Sequence, residues 1–282
     1  MIDVLDYVKL WMKRSIMQSA LVSVEWLHSN LQLFGLVLLD ATINKQIDED
    51  SERIPDARFF DIKQKFSDIE ATFPSTLSSA LQFETEARTL GINNDSFVVV
   101  YDDKGIYSSA RAWWLFKTFG FNNVAVLDGG LPEWKKQNFL IETYKQEPID
   151  KGNFTSSFQP ELMTDFKGVN QFSKDDKTLI LDARSALRFQ CLVDEPREGL
   201  RRGTIPNSKN LPYTELFDGN ILKSKAQLLK IFDNLVEQTT RMVFSCGSGI
   251  TACILVLAAT QCGYKNLVVY DGSWTEYGTL KP

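Results

Sequence analysis

The chain repeats itself, and this constrains its fold more than any other feature. The first half contains "LVLLDA" (36–41), "RIPDARFFDI" (53–62), "SFVVVYDDKGIYSSARAWWLFKTFG" (96–120) and "NNVAVLDGGLPEW" (122–134). The second half contains "TLILDA" (178–183), "TIPNSKNLP" (204–212), "RMVFSCGSGITACILVLAATQCG" (241–263) and "KNLVVYDGSWTEY" (265–277), in the same order. Asp40 matches Asp182, Ile54-Pro55 matches Ile205-Pro206, and Asp128-Gly129 matches Asp271-Gly272. Such ordered agreement points to an internal duplication. Each half alternates short β-rich runs with helical ones, the pattern of a parallel sheet covered by helices. "FVVVY" and "MVFS" are continuous apolar strands of the doubly buried kind. "SARAWWLFKTFG" and "TACILVLAATQCG" read as helices ended by Gly120 and Gly263. The fold class is therefore α/β, with two tandem domains, each a parallel β-sheet flanked by helices on both faces.

A chain of 282 residues, 44% hydrophobic, can bury two cores of ordinary size. The domains are placed at 20–145 and 161–282. The polar, aperiodic "YKQEPIDKGNFTSSFQP" (144–160) marks a linker at 146–160. An N-terminal extension covers 1–19. Its apolar spacing (Val4, Leu5, Val8, Trp11, Met12) fits either an extra amphipathic helix or unstructured sequence upstream of a start at Met17. Asp3 and Asp6 argue against a secretory or mitochondrial leader. The formal net charge of -5 gives no footprint for nucleic acid, and no apolar run is long enough for a membrane span. Four cysteines without C-x-x-C spacing, and one histidine, form neither a disulfide framework nor a metal site. Reduced thiols in a cytoplasm follow. No G-x-G-x-x-G follows a strand, so a dinucleotide site is unsupported.

The copies differ at two places. Between Asp182 and Ile205 the second half is nine residues longer than between Asp40 and Ile54, through "RFQCLVDEPREGLRRG" (188–203). After the strand, the second half carries Cys246 where the first carries Asp102. A strand-loop-helix unit leaves the first helical amides unpaired, with the positive end of the helix dipole behind them. A sulfur held there is favoured as thiolate. Gly247 and Gly249, which have no evident packing use, let successive amides turn inward as an anion-binding nest, and Ser248 and Thr251 offer hydroxyls. Cys253 and Cys262, on the apolar helix, read as packing residues, and Cys191 as incidental. One half carries chemistry and the other reads as scaffold.

These residues resemble a known family. "CGSGIT" (246–251), "LDAR…RF…DEPREGLRRG…IP", "YDGSW.E", "SARAWW" and "LDGGL" are similar to the tandem rhodanese-type sulfurtransferases, and within them to the 3-mercaptopyruvate sulfurtransferases, from about Val24 to Tyr277. The resemblance implies two rhodanese-like domains with the active site at their interface. It also implies a persulfide on Cys246, held by the loop Gly247, Ser248, Gly249, Ile250 and Thr251, with Ser248 in a catalytic role. Arg188 and Arg197 match the family's substrate-site arginines and suit an α-keto acid carboxylate, whereas Arg201 and Arg202 read as solvated. The implied partners are a small sulfur donor and a thiol acceptor such as reduced thioredoxin, with no cofactor and no metal, in a monomer. The neutral Gly247 and Ser248 favour 3-mercaptopyruvate over thiosulfate; a thiosulfate enzyme and a non-catalytic persulfide carrier are the alternatives. Where the family reads "HIPGA" this chain reads "RIPDA", so Arg53 replaces a histidine assigned to proton transfer. Either Ser248 with water protonates the product, or Arg53 offers charge there. His28 reads as a packing residue. A C-x5-R phosphatase is excluded by Ala252 at the arginine position.

Overall fold

In the computed structural model, residues 19–145, 148–236 and 241–281 are described; most of the expected N-terminal extension, residues 1–18, lies outside them. Two five-stranded sheets lie in succession. The first contains β1 (Leu21–Val22), β2 (Leu36–Asp40), β3 (Arg58–Phe59), β4 (Phe97–Tyr101) and β5 (Val124–Leu127) in the order β1-β5-β4-β2-β3. The second contains β6 (Met163–Thr164), β7 (Thr178–Asp182), β8 (Ser208–Asn210), β9 (Arg241–Ser245) and β10 (Leu267–Tyr270) in the order β6-β10-β9-β7-β8. The two orders are the same, and all pairings within them are parallel. The sequence repeat is thus a repeat of topology. Leu38 sits opposite Val99, and Ile180 opposite Val243.

Helices cover both faces of each sheet. In the first domain, α1 (Val24–Asn30) and α4 (Gly130–Lys136) pack on one face, burying Leu27, Leu131 and Trp134 against Leu38, Val99 and Ala125. On the other face lie α2 (Ala80–Thr89), capped by Ser79 Oγ accepting from Gln82 N at 3.1 Å, and α3 (Ser109–Thr118). In the second domain, α5 (Phe166–Phe172) and α9 (Ser273–Leu280) cover one face. The other face carries α7 (Lys225–Asp233), with a Ser224–Gln227 capping box, and α8 (Ala252–Cys262). A single turn, α6 (Ala186–Phe189), opens the inserted stretch.

The helices α3 and α8 explain how the halves join. Both are buried almost all round, and a helix with almost no exposed face must be enclosed by protein. They pack on each other, so one apolar cluster runs from Val100, Trp114 and Phe116 of the first domain into Phe244, Leu255 and Leu257 of the second. Each fully buried leucine or phenylalanine stabilises this junction by roughly 1.5–3 kcal/mol. Polar contacts repeat across it with approximate two-fold symmetry. The Asp128 carboxylate accepts from Leu222 N at 2.8 Å, and the matching Asp271 carboxylate accepts from Leu77 N at 2.8 Å.

The connecting segment is strapped to the first domain. Gly152, Phe154, Ser157 and Gln159 donate backbone hydrogen bonds to Arg88, Ile92, Phe119 and Thr118, and the Phe154 ring is buried beside Phe83 and Phe121. One aromatic anchor, invisible to periodicity, fixes a stretch whose composition suggests freedom. Among the described residues no helix is long and apolar enough to cross a membrane.

Candidate active site

Strand β9 ends at Ser245, and the loop 246–251 delivers the chain into α8. Its residues Cys246, Gly247, Ser248, Ile250 and Thr251 line a cavity of about 460 Å³ between the domains. The second domain adds Arg188, Arg197 and Tyr213; the first adds Asn44, Lys63, Lys104 and Tyr107. Tyr107 and Tyr213 meet edge to face across the domain boundary, ring centroids 5.8 Å apart. A larger hollow of about 670 Å³ lies on the first domain around Arg53, Arg58 and Tyr144, and no cysteine lines it.

The loop is held from outside by its carbonyls. Cys246 O accepts from Trp274 N at 3.0 Å; Gly247 O accepts from Thr275 N at 2.9 Å and from the Thr275 hydroxyl at 2.5 Å. In a planar trans peptide the carbonyl and the following amide point in opposite directions. Securing these two carbonyls therefore turns the Gly247 and Ser248 amides the other way, towards the cavity. Among the described residues the amides of Gly247, Ser248 and Ile250 bond no other residue. The Cys246 and Gly249 amides are taken up by the Ser273 hydroxyl, which accepts at 3.0 and 3.1 Å. That hydroxyl gives its one proton to Tyr270 O at 2.9 Å, nearer than the Cys246 sulfur at 3.9 Å.

The first domain contains the same nest already filled. Asp102, in the cysteine position, accepts through its carboxylate from the amides of Lys104 (2.8 Å), Tyr107 (2.7 Å) and Ser109 (2.8 Å), and from the Ser109 hydroxyl (2.6 Å). This loop geometry thus binds an anion. In the second domain the side chain is a thiol and the corresponding space opens on the cavity.

Glycine at 249 also has a packing reason, against the expectation that it had none. Its φ is +78°, and a Cβ there would lie 2.5 Å from Asp271 O. At 247 a Cβ would meet only the guanidinium of Arg188, at 3.1 Å. Arg188 and Arg197 both reach the cavity. Arg188 is held by buried Glu195 through Nε (3.3 Å) and Nη2 (2.5 Å), and Arg197 donates to the Thr275 hydroxyl. Burial lowers the Arg197 guanidinium from its ordinary value, opposed by the neighbouring Cys246 sulfur. Glu195 is itself shared with Arg184, which forks onto Asp182; Arg184, Asp182 and Glu195 are all buried. The inserted stretch is thereby tied to the end of β7. Arg201 stacks on Trp274 and Arg202 pairs with Asp194, both exposed as expected.

Arg53 does not act at this site. Buried, it pairs with Glu142 at 2.7 Å and donates to Ala57 O at 2.9 Å, and it does not line the cysteine cavity. The Glu142 carboxylate, on the strand Glu142–Thr143 that pairs antiparallel with Glu52–Arg53, draws it into the first domain. His28 stacks on Phe139 with ring centroids 3.9 Å apart. Cys253 is buried, and burial pushes its thiol up to about 12, so it stays protonated. Cys191 and Cys262 are only half-buried.

Sequence reasoning missed Ser273, Thr275, Glu195 and the first-domain lining. A signal for Ser273 was present: "LDGGL" and "YDGSW" differ at Gly130 and Ser273, as the loops differ at Asp102 and Cys246. The hydroxyl belongs to the half with the thiol. Ser273→Ala leaves two buried amides without an acceptor. It should cost about 1–3 kcal/mol in urea unfolding, with a larger relative loss in turnover than in substrate affinity.

Comparisons with known proteins follow the same division. The description Rhodanese-like domain matches residues 23–137 and 166–279. The 3-mercaptopyruvate sulfurtransferase of Escherichia coli (strain K12) is 36% identical over 91% of this chain and 94% of its own. The mitochondrial thiosulfate/3-mercaptopyruvate sulfurtransferase 1 of Arabidopsis thaliana is 37% identical, over 92% and 76%. The crystal structure of SseA from Escherichia coli superposes with a TM-score of 0.80 at 34% identity, over 91% of this chain and 99% of that one. Both matched segments fall on the two sheets that the repeat and the strand order define, so the chain belongs to the rhodanese-like family, as a tandem pair of its domains.

Proposed function

We propose that this protein is a 3-mercaptopyruvate sulfurtransferase that carries the transferred sulfur as a persulfide on Cys246. The observation that carries this reading is the contrast between the two nests. One is closed by the Asp102 carboxylate; the other holds a thiol, has amides that bond no described residue, and faces a cavity lined by five cationic side chains, Lys63, Lys104, Arg184, Arg188 and Arg197. Relatives named 3-mercaptopyruvate sulfurtransferase cover nearly the whole chain.

The Cys246 thiolate attacks the donor sulfur. An S–S bond forms as the C–S bond breaks, and the electron pair leaves on carbon as the enolate of pyruvate. The donor's thiol proton balances the enolate, giving pyruvate and a persulfide anion. The Gly247, Ser248 and Ile250 amides then face the charged outer sulfur, which makes the loop an electrostatic stabiliser. Arg188 and Arg197 hold the donor carboxylate and carbonyl oxygens through planar paired hydrogen bonds. With Arg53 turned away, protonation falls to Ser248 and water. An acceptor thiolate then attacks the outer sulfur and releases Cys246 as thiolate. We assign the acceptor role to a thiol such as reduced thioredoxin, without a cofactor, in a monomer; four free cysteines support a reducing, cytoplasmic setting.

Lys63 and Lys104 bring positive charge from outside the neutral loop, which leaves thiosulfate as the competing donor. Intact-mass measurement after incubation with each donor in parallel decides. The expected result is gain of one sulfur from 3-mercaptopyruvate, faster than from thiosulfate. Loading from thiosulfate alone would overturn the donor assignment, and loading from neither would leave a carrier.

A further inference from the structure

We infer that Arg111, on α3 of the domain without the thiol, is a positioning residue for the Cys246 nest. This rests on the reading of that loop as the sulfur-carrying site. Arg111 is fully buried. Its Nη2 donates to the Asp271 carboxylate at 2.7 Å and to Ser75 O at 2.8 Å, and its Nη1 reaches Gly249 O at 3.3 Å. The guanidinium lies over the Trp114 ring, 4.6 Å from its centroid. Cys253 donates to the same Gly249 carbonyl from behind, at 3.3 Å.

The consequence follows from peptide geometry. Two donors draw the Gly249 carbonyl away from the cavity, so the amide of Ile250, across the same rigid plane, faces into it. That amide is one of those bonded to no described residue. Trp274 and Thr275 do the same for the Gly247 and Ser248 amides, but from within the catalytic domain. Arg111 alone among these donors comes from the other copy, 138 positions earlier in the chain. Gly249 admits it: any Cβ there would crowd Arg111 Nη1, at 3.2 Å, as well as Asp271 O. The domain that carries a carboxylate in place of the thiol thus completes the nest of its twin.

A lysine cannot reproduce the fork, because a single ammonium cannot span Asp271, Ser75 and Gly249 together. Arg111→Lys keeps the charge opposite Asp271 and removes the Gly249 contact. The double variant Arg111→Met with Asp271→Asn removes the pair together, so no buried charge is left alone. Both are to be compared with the unmodified protein by thermal unfolding, by rates of Cys246 alkylation with iodoacetamide from pH 5 to 10, and by single-turnover sulfur loading. The expected result is an alkylation midpoint displaced to higher pH, with loading about tenfold slower and KM for 3-mercaptopyruvate changed less than twofold. An unchanged alkylation profile, with activity falling only in proportion to folded protein, would reduce Arg111 to a structural strut and overturn the proposal. The alkylation profile needs no sulfur donor. Failure of the unmodified protein to load sulfur would therefore count against the proposed function and leave this test standing.

Discussion

Cys246→Ser is expected to abolish sulfur loading and to lower kcat/KM by roughly 10⁴ or more, the scale of losing a covalent nucleophile. The cause is chemical, because a serine hydroxyl stays protonated at neutral pH and forms no persulfide. The fold should survive. The backbone of residue 246 is held by Trp274 and Ser273 through its carbonyl and amide, whichever side chain it carries. Among the described residues the Sγ atom's one hydrogen-bond partner is the Ser273 hydroxyl at 3.9 Å, and that hydroxyl's proton is engaged elsewhere. Pyruvate release and intact mass check the outcome together. A serine variant that still gained sulfur would move the nucleophile to another thiol. Cys253 is a poor substitute, being buried and protonated.

Arg184→Met should be the most destabilising single change at the site, by about 3–5 kcal/mol in urea unfolding at neutral pH. Arg184 donates to Asp182, Glu195 and Gly203 O and lies over the Trp274 ring. Removing it leaves two buried carboxylates without that cation. Burial already pushes the Asp182 carboxyl up, and Arg184 opposes the rise. A carboxyl raised in the folded state favours folding below its unfolded value of about 3.9. That support is lost as pH rises through the folded value. Without Arg184 the folded value climbs further, so the deficit should be greatest near neutrality and shrink towards pH ~5. Glu195 also orients Arg188, so the variant should bind 3-mercaptopyruvate more weakly even where it is folded. An equal deficit at both pH values would show that lost packing, not charge, dominates.

The residues that were legible share a property: their signal is local. Parallel strands buried on both faces read as "FVVVY" and "MVFS" because no face of them meets water. Gly263 ends α8 with φ +92°, as a left-handed C-cap should. Cys246 at the mouth of α8 was found the same way, whereas Arg188 and Arg197 were singled out through the resemblance to the family's substrate site. Arg53 was not. Its place in a motif suggested a role at the thiol, but Glu142, 89 positions later, decides where it points.

The sequence by itself determined that there are two α/β copies, that one carries a thiol on a glycine-bearing loop before a helix, and that the other carries a carboxylate there. These follow from periodicity, turn chemistry and the helix dipole, each set within a few residues. Only the tertiary structure decided which groups orient that loop: Ser273 and Thr275 from the first turn of α9, and Arg111 from the other domain. It also decided that Arg53 is excluded. A hydrogen-bond partner is chosen by which surfaces α3 and α8 bring together when they bury their apolar sides, and no local pattern encodes a contact made across 138 residues.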